Sequence, residues 1–164
     1  MLTIPISFPK TDESRQMFLN DLKACEADNV LLVCCELFSE GDARENALAE
    51  LKKDIEYYTD AGFNPGIWTN TLGWGGEPGT RGTDFNKRFK NPVSITSFDG
   101  RTMSAVCVLD EEFLSYMERN IADFANTGAK LIILDDDLVL SVRPGFTCAC
   151  ELHKKEFSRR TGRE

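Results

Sequence analysis

An α/β fold built on a parallel sheet is what this sequence predicts, and three observations carry that expectation. Apolar runs alternate with segments of helical periodicity, the order that gives parallel strands joined by right-handed crossovers. Two of those runs, NVLLVCCELF at residues 29–38 and the LIIL that precedes three aspartates at 135–137, are almost unbroken, as strands buried on both faces are. The connections after strands are long (residues 73–92 and 138–147), whereas those after helices are short: ADN, AGFN and TGAK. Elaboration of one face only is the habit of (β/α)8 barrels, which place their sites at the carboxyl ends of the strands. The predicted architecture is therefore the first four β-α units of a TIM barrel. A small open sheet with helices on both faces is the alternative. A complete barrel takes about 250 residues, and this chain has 164. Residues 1–164 are accordingly expected to form a single domain, the N-terminal half of such a barrel within a longer protein.

Each element has its own signal. LTIPISF at residues 2–8 is short, apolar and β-rich, and predicts the first strand. Met17, Phe18, Leu22 and Cys25 then recur at helical spacing, with Thr11 or Asp12 as N-cap. The second strand is the run at 29–38. Leu48, Leu51, Ile55 and Tyr58 make the apolar stripe of a second helix that Gly62 stops. A third strand is expected around residues 66–70, before a glycine-rich stretch at 73–92. VSITSFDGRTMSAVCV reads as a hairpin turning at Asp99-Gly100. A third long helix, capped by Asp110, ends near Gly128; KLIILDDD is the fourth buried strand, and CELHKKEFSRRTG opens a last helix.

Composition removes several function classes. The formal net charge of −8 argues against nucleic acid, which demands a basic face, and against an anionic membrane surface. No apolar run approaches the roughly 20 residues of a membrane span. The first residues lack the basic and long apolar parts of a signal peptide, so a cytoplasmic location is expected. In that reducing setting some of the six cysteines are better read as buried apolar residues or metal ligands than as disulfides. Cys34 and Cys35 lie inside an apolar run, where burial is the natural role.

Three groups of residues carry candidate chemistry. Asp135, Asp136 and Asp137 stand where the fourth strand ends. Crowded carboxylates raise at least one pKa, which suits a general acid for glycoside cleavage. Capping of the next turn, pairing with Arg143 or Lys130, or ligation of Mg²⁺ or Ca²⁺ are the competing roles. Glu36, Trp68, Asn70 and Trp74 fall at or just past the ends of the second and third strands, and Arg143 lies in the loop after the aspartates. An aromatic wall with a few polar groups is the usual anatomy of a small-molecule pocket, here a sugar subsite. The nearby glycines form neither a dinucleotide fingerprint nor a phosphate loop, so no organic cofactor is expected. Lastly, Cys148, Cys150 and His153 form C-x-C-x-x-H, and Cys107 is the candidate for the fourth ligand that a structural zinc takes. Packed cysteines beside a surface histidine are the alternative.

The segments LIILDDD…FTCACELHKKEFSRRTG and GIWTNTLGWGG resemble the N-terminal half of TIM-barrel glycoside hydrolases. The likeness is to glycoside-hydrolase-like proteins with a D-D-D strand followed by CxCxxHxxEF and, more distantly, to the zinc-containing β-galactosidases of glycoside hydrolase family 42. That resemblance implies a (β/α)8 fold, O-glycosyl hydrolysis and a structural zinc. It sets Asp136-Asp137 where the family has the Asn-Glu of its general acid/base, and Cys107, Cys148, Cys150 and His153 where it has its zinc ligands. Two features depart from the pattern: Asp replaces Glu, and the nucleophile, which the family takes from its seventh strand, has no counterpart here. Carbohydrate is the implied ligand, and the open sheet edges imply either the remaining half of the barrel or a second copy of the chain. A non-catalytic carbohydrate-binding or assembly module, and a small α/β domain holding a divalent cation at the aspartates, are the rival readings.

Overall fold

The computed structural model describes residues 1–9, 11–33, 41–69, 89–134 and 148–163. Their elements run β1 (Thr3–Ser7), α1 (Asp12–Ala24), β2 (Asn29–Val33), α2 (Asp42–Asp60), β3 (Asn64–Thr69), β4 (Ser94–Thr96), β5 (Thr102–Val106), α3 (Glu111–Asn126), β6 (Ile132–Leu134) and α4 (Glu151–Thr161). The chain divides into two compact units, Met1–Thr69 with Asn120–Asp135, and Asn70–Arg119 with Asp136–Glu164.

The first unit is an α/β layer. Its sheet has four strands in the order β1-β2-β3-β6, and every pairing is parallel. Chain order and spatial order agree, so the strand sequence does not reverse within this sheet. In register, Ile6, Leu32, Ile67 and Ile132 lie side by side, as do Ser7, Val33, Trp68 and Ile133. Successive side chains alternate between faces, so the first row belongs to one face and the second to the other. The isoleucine-rich face packs against Leu19 and Leu22 of α1, Leu51, Ile55 and Tyr58 of α2, and Phe124 of α3 in one core. The opposite face carries Leu31 over Gly66, while Pro5 and Ser7 stay exposed.

The local reasons are the ones the sequence advertises. Thr11 caps α1 and exchanges hydrogen bonds with Ser14 in a reciprocal box, which satisfies two of the free donors of the first turn. Ala61 and Gly62 end α2, with Gly62 in the left-handed region at φ 93°, where glycine meets no steric penalty. The apolar stripe of α2 is as expected, Leu51, Ile55 and Tyr58 being buried. In α1 the stripe is rotated. Arg15, Leu19 and Leu22 are buried, whereas Met17 is 53% exposed and Cys25 is exposed. Arg15 joins the buried face because Asp54 waits for it on α2. The fourth parallel strand differs from its expectation too. β6 is half-exposed, with Leu131 and Leu134 open to solvent, because it is the outermost strand of this sheet.

The second unit is built on the antiparallel hairpin β4–β5. Its turn is at Asp99-Gly100 as the sequence predicts, Gly100 having φ 84°. Asp99 accepts hydrogen bonds from the Ser97 hydroxyl and from Arg101 Nε. Those bonds, Arg101 foremost, hold its carboxyl well below the usual range. Asp110 caps α3 through its Oδ1, which accepts from Phe113 N at 3.0 Å, and its Oδ2 accepts from Val93 N at 2.9 Å. Phe89 packs edge-on against Phe113 and Tyr116. No residue of α4 is buried. Among the described residues, no helix is long and apolar enough to cross a membrane.

Candidate metal centre

Four side chains converge in the second unit. Cys107 immediately follows β5 and is held by its backbone N–H, which donates to Val93 O at 2.7 Å. Ala149 N donates to Thr96 O at 2.6 Å and so ties the Cys148–Cys150 segment to β4. Cys150 is the N-cap of α4. His153 sits in the helix's first turn, three residues on, where i and i+3 share a face. The ligand atoms of Cys107, Cys148, Cys150 and His153 all lie within 4.8 Å of one another.

The distances suit one tetrahedral ion. Zinc with Zn–S of about 2.3 Å and Zn–N of about 2.0–2.1 Å sets tetrahedral S···S and S···N separations near 3.8 and 3.5 Å. Here Cys107 Sγ lies 3.5 Å from Cys150 Sγ. His153 Nδ1 lies 3.3 Å from Cys107 Sγ and 3.5 Å from Cys150 Sγ. Cys107 and Cys150 are buried, and Cys148 and His153 are half-buried. Three sulfurs and an imidazole already fill a tetrahedron, so the donor set leaves no open position and fits a structural ion.

Electrostatics point the same way. Burial pushes the thiols of Cys107 and Cys148 up. At Cys150 burial also opposes ionisation, but hydrogen bonds from His153, Cys148 and Cys107 outweigh it and bring the thiol down to about 7. Leu109 N also donates to Cys107 Sγ at 3.4 Å. A metal ligand is the thiolate form, so a cation bound here would favour ionisation of all three.

The other sequence-predicted site residues are placed as follows. Trp68 is the penultimate residue of β3, half-buried on the face opposite the core isoleucines. Glu36, Asn70, Trp74, Asp135, Asp136, Asp137 and Arg143 lie outside the described residues, as do Cys34 and Cys35.

Sequence reasoning missed one polar cluster, in the first unit. The Arg15 guanidinium donates to Asp54, to Asp12 Oδ1 at 2.6 Å and to Glu50 Oε2 at 2.5 Å. It floors an open pocket of about 450 Å³ beside Phe8 and Pro9, where the chain leaves β1. The signal was available: Arg15 stands four and seven residues before Leu19 and Leu22, and Asp54 stands between Leu51 and Ile55. Opposite charges thus sat on two stripes that face one core. No protein-family model matches the chain, and no curated protein matches it significantly.

Proposed function

We propose that the chain is the metal-bearing part of a glycoside-hydrolase-like (β/α)8 barrel, in which Cys107, Cys148, Cys150 and His153 hold a structural zinc and Asp135–Asp137 face carbohydrate. One observation carries the reading. The resemblance assigns the metal to four residues between positions 107 and 153, and those four donors converge within 4.8 Å of one another. Two features of the sheet support the barrel over a doubly wound sheet. Its strands follow chain order, with no reversal. Within the first unit, α1, α2 and the end of α3 share one core on one face, whereas a doubly wound sheet is covered by helices on both.

The division of labour follows from the chain. β2, β3 and β6 end at Val33, Thr69 and Leu134, directly upstream of the segments bearing Glu36, Asn70 and the three aspartates. In this reading Asp137 or Asp135 supplies the proton for a glycosidic oxygen, and Trp68, Trp74, Glu36, Asn70 and Arg143 form the sugar subsite. Cys107, Cys148, Cys150 and His153 would hold the zinc, which would supply cross-linking and charge neutralisation.

Elemental analysis of the purified chain tests the metal: about one zinc per chain is expected, lost in Cys107→Ser and in Cys150→Ser. Titration with galactosides and other glycosides tests the site, with Asp137→Ala expected to abolish binding or turnover without altering the circular dichroism. Full zinc content with no glycoside response in the wild type would leave a metal-stapled assembly module, and a response unchanged by Asp137→Ala would remove the role given to that residue.

A further inference from the structure

We propose that Cys107 and Cys150 close a reversible disulfide that displaces the metal, so that the centre doubles as a peroxide-sensitive switch. The inference rests on the metal reading above and adds a regulation to it. The two sulfurs come from segments 43 residues apart, yet lie 3.5 Å from each other. Reaching the disulfide length of about 2.05 Å asks each to move by only about 0.7 Å. Both side chains are shielded, at 0% and 5% exposure. Cys148 and His153, beside them, are half-exposed. Metal and cross-link exclude one another, since the same two sulfurs serve both. After oxidation only Cys148 and His153 remain, half of what a structural zinc takes.

The chemistry balances with hydrogen peroxide as oxidant. One sulfur of the pair, as thiolate, attacks a peroxide oxygen. The O–O bond breaks, a sulfenic acid forms, and the departing hydroxide takes a proton to become water. The second sulfur attacks the sulfenic sulfur, the S–S bond forms, the S–O bond breaks, and a second water leaves with the remaining thiol proton. Two thiols lose two electrons, and one peroxide becomes two waters.

The test uses the full chain loaded with zinc, freed of reductant and treated with a small excess of hydrogen peroxide. Non-reducing peptide mapping should find Cys107 joined to Cys150, and bound zinc should fall from about one ion per chain to near none. A dithiol should restore both the free thiols and the bound zinc. Cys148→Ser should keep the cross-link, and Cys107→Ser should lack it. A cross-link that runs to Cys148 instead, oxidation to sulfinic acids alone, or a linked chain that still takes a full zinc overturns the switch. Zinc in the reduced chain without the cross-link sinks the switch alone. No zinc in the reduced chain sinks both the metal reading and this one.

Discussion

Replacing Arg15 with methionine should cost about 3–4 kcal/mol at pH 7, and the cost should shrink in acid. The Arg15 side chain is 4% exposed and that of Asp54 is 0% exposed. Burial works against the Arg15 charge, but hydrogen bonds to Asp54, Glu50 and Asp12 outweigh it and hold the guanidinium above its usual range. Burial also pushes the Asp54 carboxyl up, with Arg15 pulling it back. Methionine keeps the aliphatic stem and deletes that pull. Asp54 must then stay charged without a partner or take up a proton, and the cheaper course sets the penalty. Neutralising a carboxyl of ordinary pKa about 3.9 at pH 7 costs about 1.36 × 3.1, or roughly 4 kcal/mol. This agrees with the 3–5 kcal/mol typical of breaking a buried pair. The sign follows from proton counting. In the variant the folded pKa of Asp54 is raised, so the folded state binds more protons and stability falls as pH rises above the unfolded pKa. Between pH 7 and pH 5 the penalty should therefore drop by about 1.4 kcal/mol per unit. Urea denaturation followed by circular dichroism at both pH values measures it. The double variant Arg15→Met/Asp54→Leu, which removes both charges, should recover most of the loss. A single-variant loss below about 1 kcal/mol, or one that is the same at pH 5 and pH 7, would refute the argument.

Three further outcomes are expected. Gly66→Ala should cost about 1–2 kcal/mol: its Cβ would lie 2.8 Å from Leu31 Cδ2 and 2.9 Å from the Leu131 carbonyl oxygen, an overpacking penalty partly offset by a stiffer unfolded chain; thermal denaturation gives the number. Removing zinc should abolish hydrogen-exchange protection in β4, β5 and α4 while β1, β2 and β3 keep theirs; uniform loss across both units would contradict this. Glu156, which accepts from Arg159 and Arg160, should titrate near 2 rather than at its ordinary 4.5, the arginine hydrogen bonds being the cause. Its stabilising effect on α4 is then present above pH 4.5 and lost as pH falls toward 2, which a carboxyl NMR titration with helix-amide readout would follow.

Much of the fold was legible because local and global preferences agree. Thr11, Asp110, Gly62 and Gly128 announce helix boundaries from within a few residues, and each acts where the sequence puts it. The Cys-x-Cys-x-x-His segment was legible as a ligand set because a helix start fixes Cys150 against His153. What stayed hidden depends on partners far along the chain. Arg15 reads as a surface cation until α2 brings Asp54 to it, 39 residues on. Met17 reads as core, but the buried face of α1 is the one that carries Arg15, Leu19 and Leu22. β6 reads as a doubly buried strand from its Leu-Ile-Ile-Leu run, but burial is set by neighbours on either side, and a short apolar segment carries no mark of its place at an edge.

The two units solve the problem of stability by different means, and this would give a metal at the Cys/His cluster its reason. The first has a layered core in which strand, helix and strand bury Leu22, Val30, Leu32, Leu51, Ile55 and Ile67 almost completely. The second has a two-stranded hairpin, which is marginal in water on its own. It also has an 11-residue helix with no buried residue, shorter than the roughly 12–15 residues at which isolated helices become even marginal. Apolar packing around Phe89, Phe113 and Tyr116 does not reach α4 through any buried side chain of that helix. Cys150 at its cap and His153 in its first turn bring it against Cys107, which follows β5. A metal bound at that junction would contribute folding free energy directly and would stand in for the core that α4 lacks. By the same logic, whatever removes the metal, chelator or peroxide, should release α4 and the hairpin before it disturbs the parallel sheet.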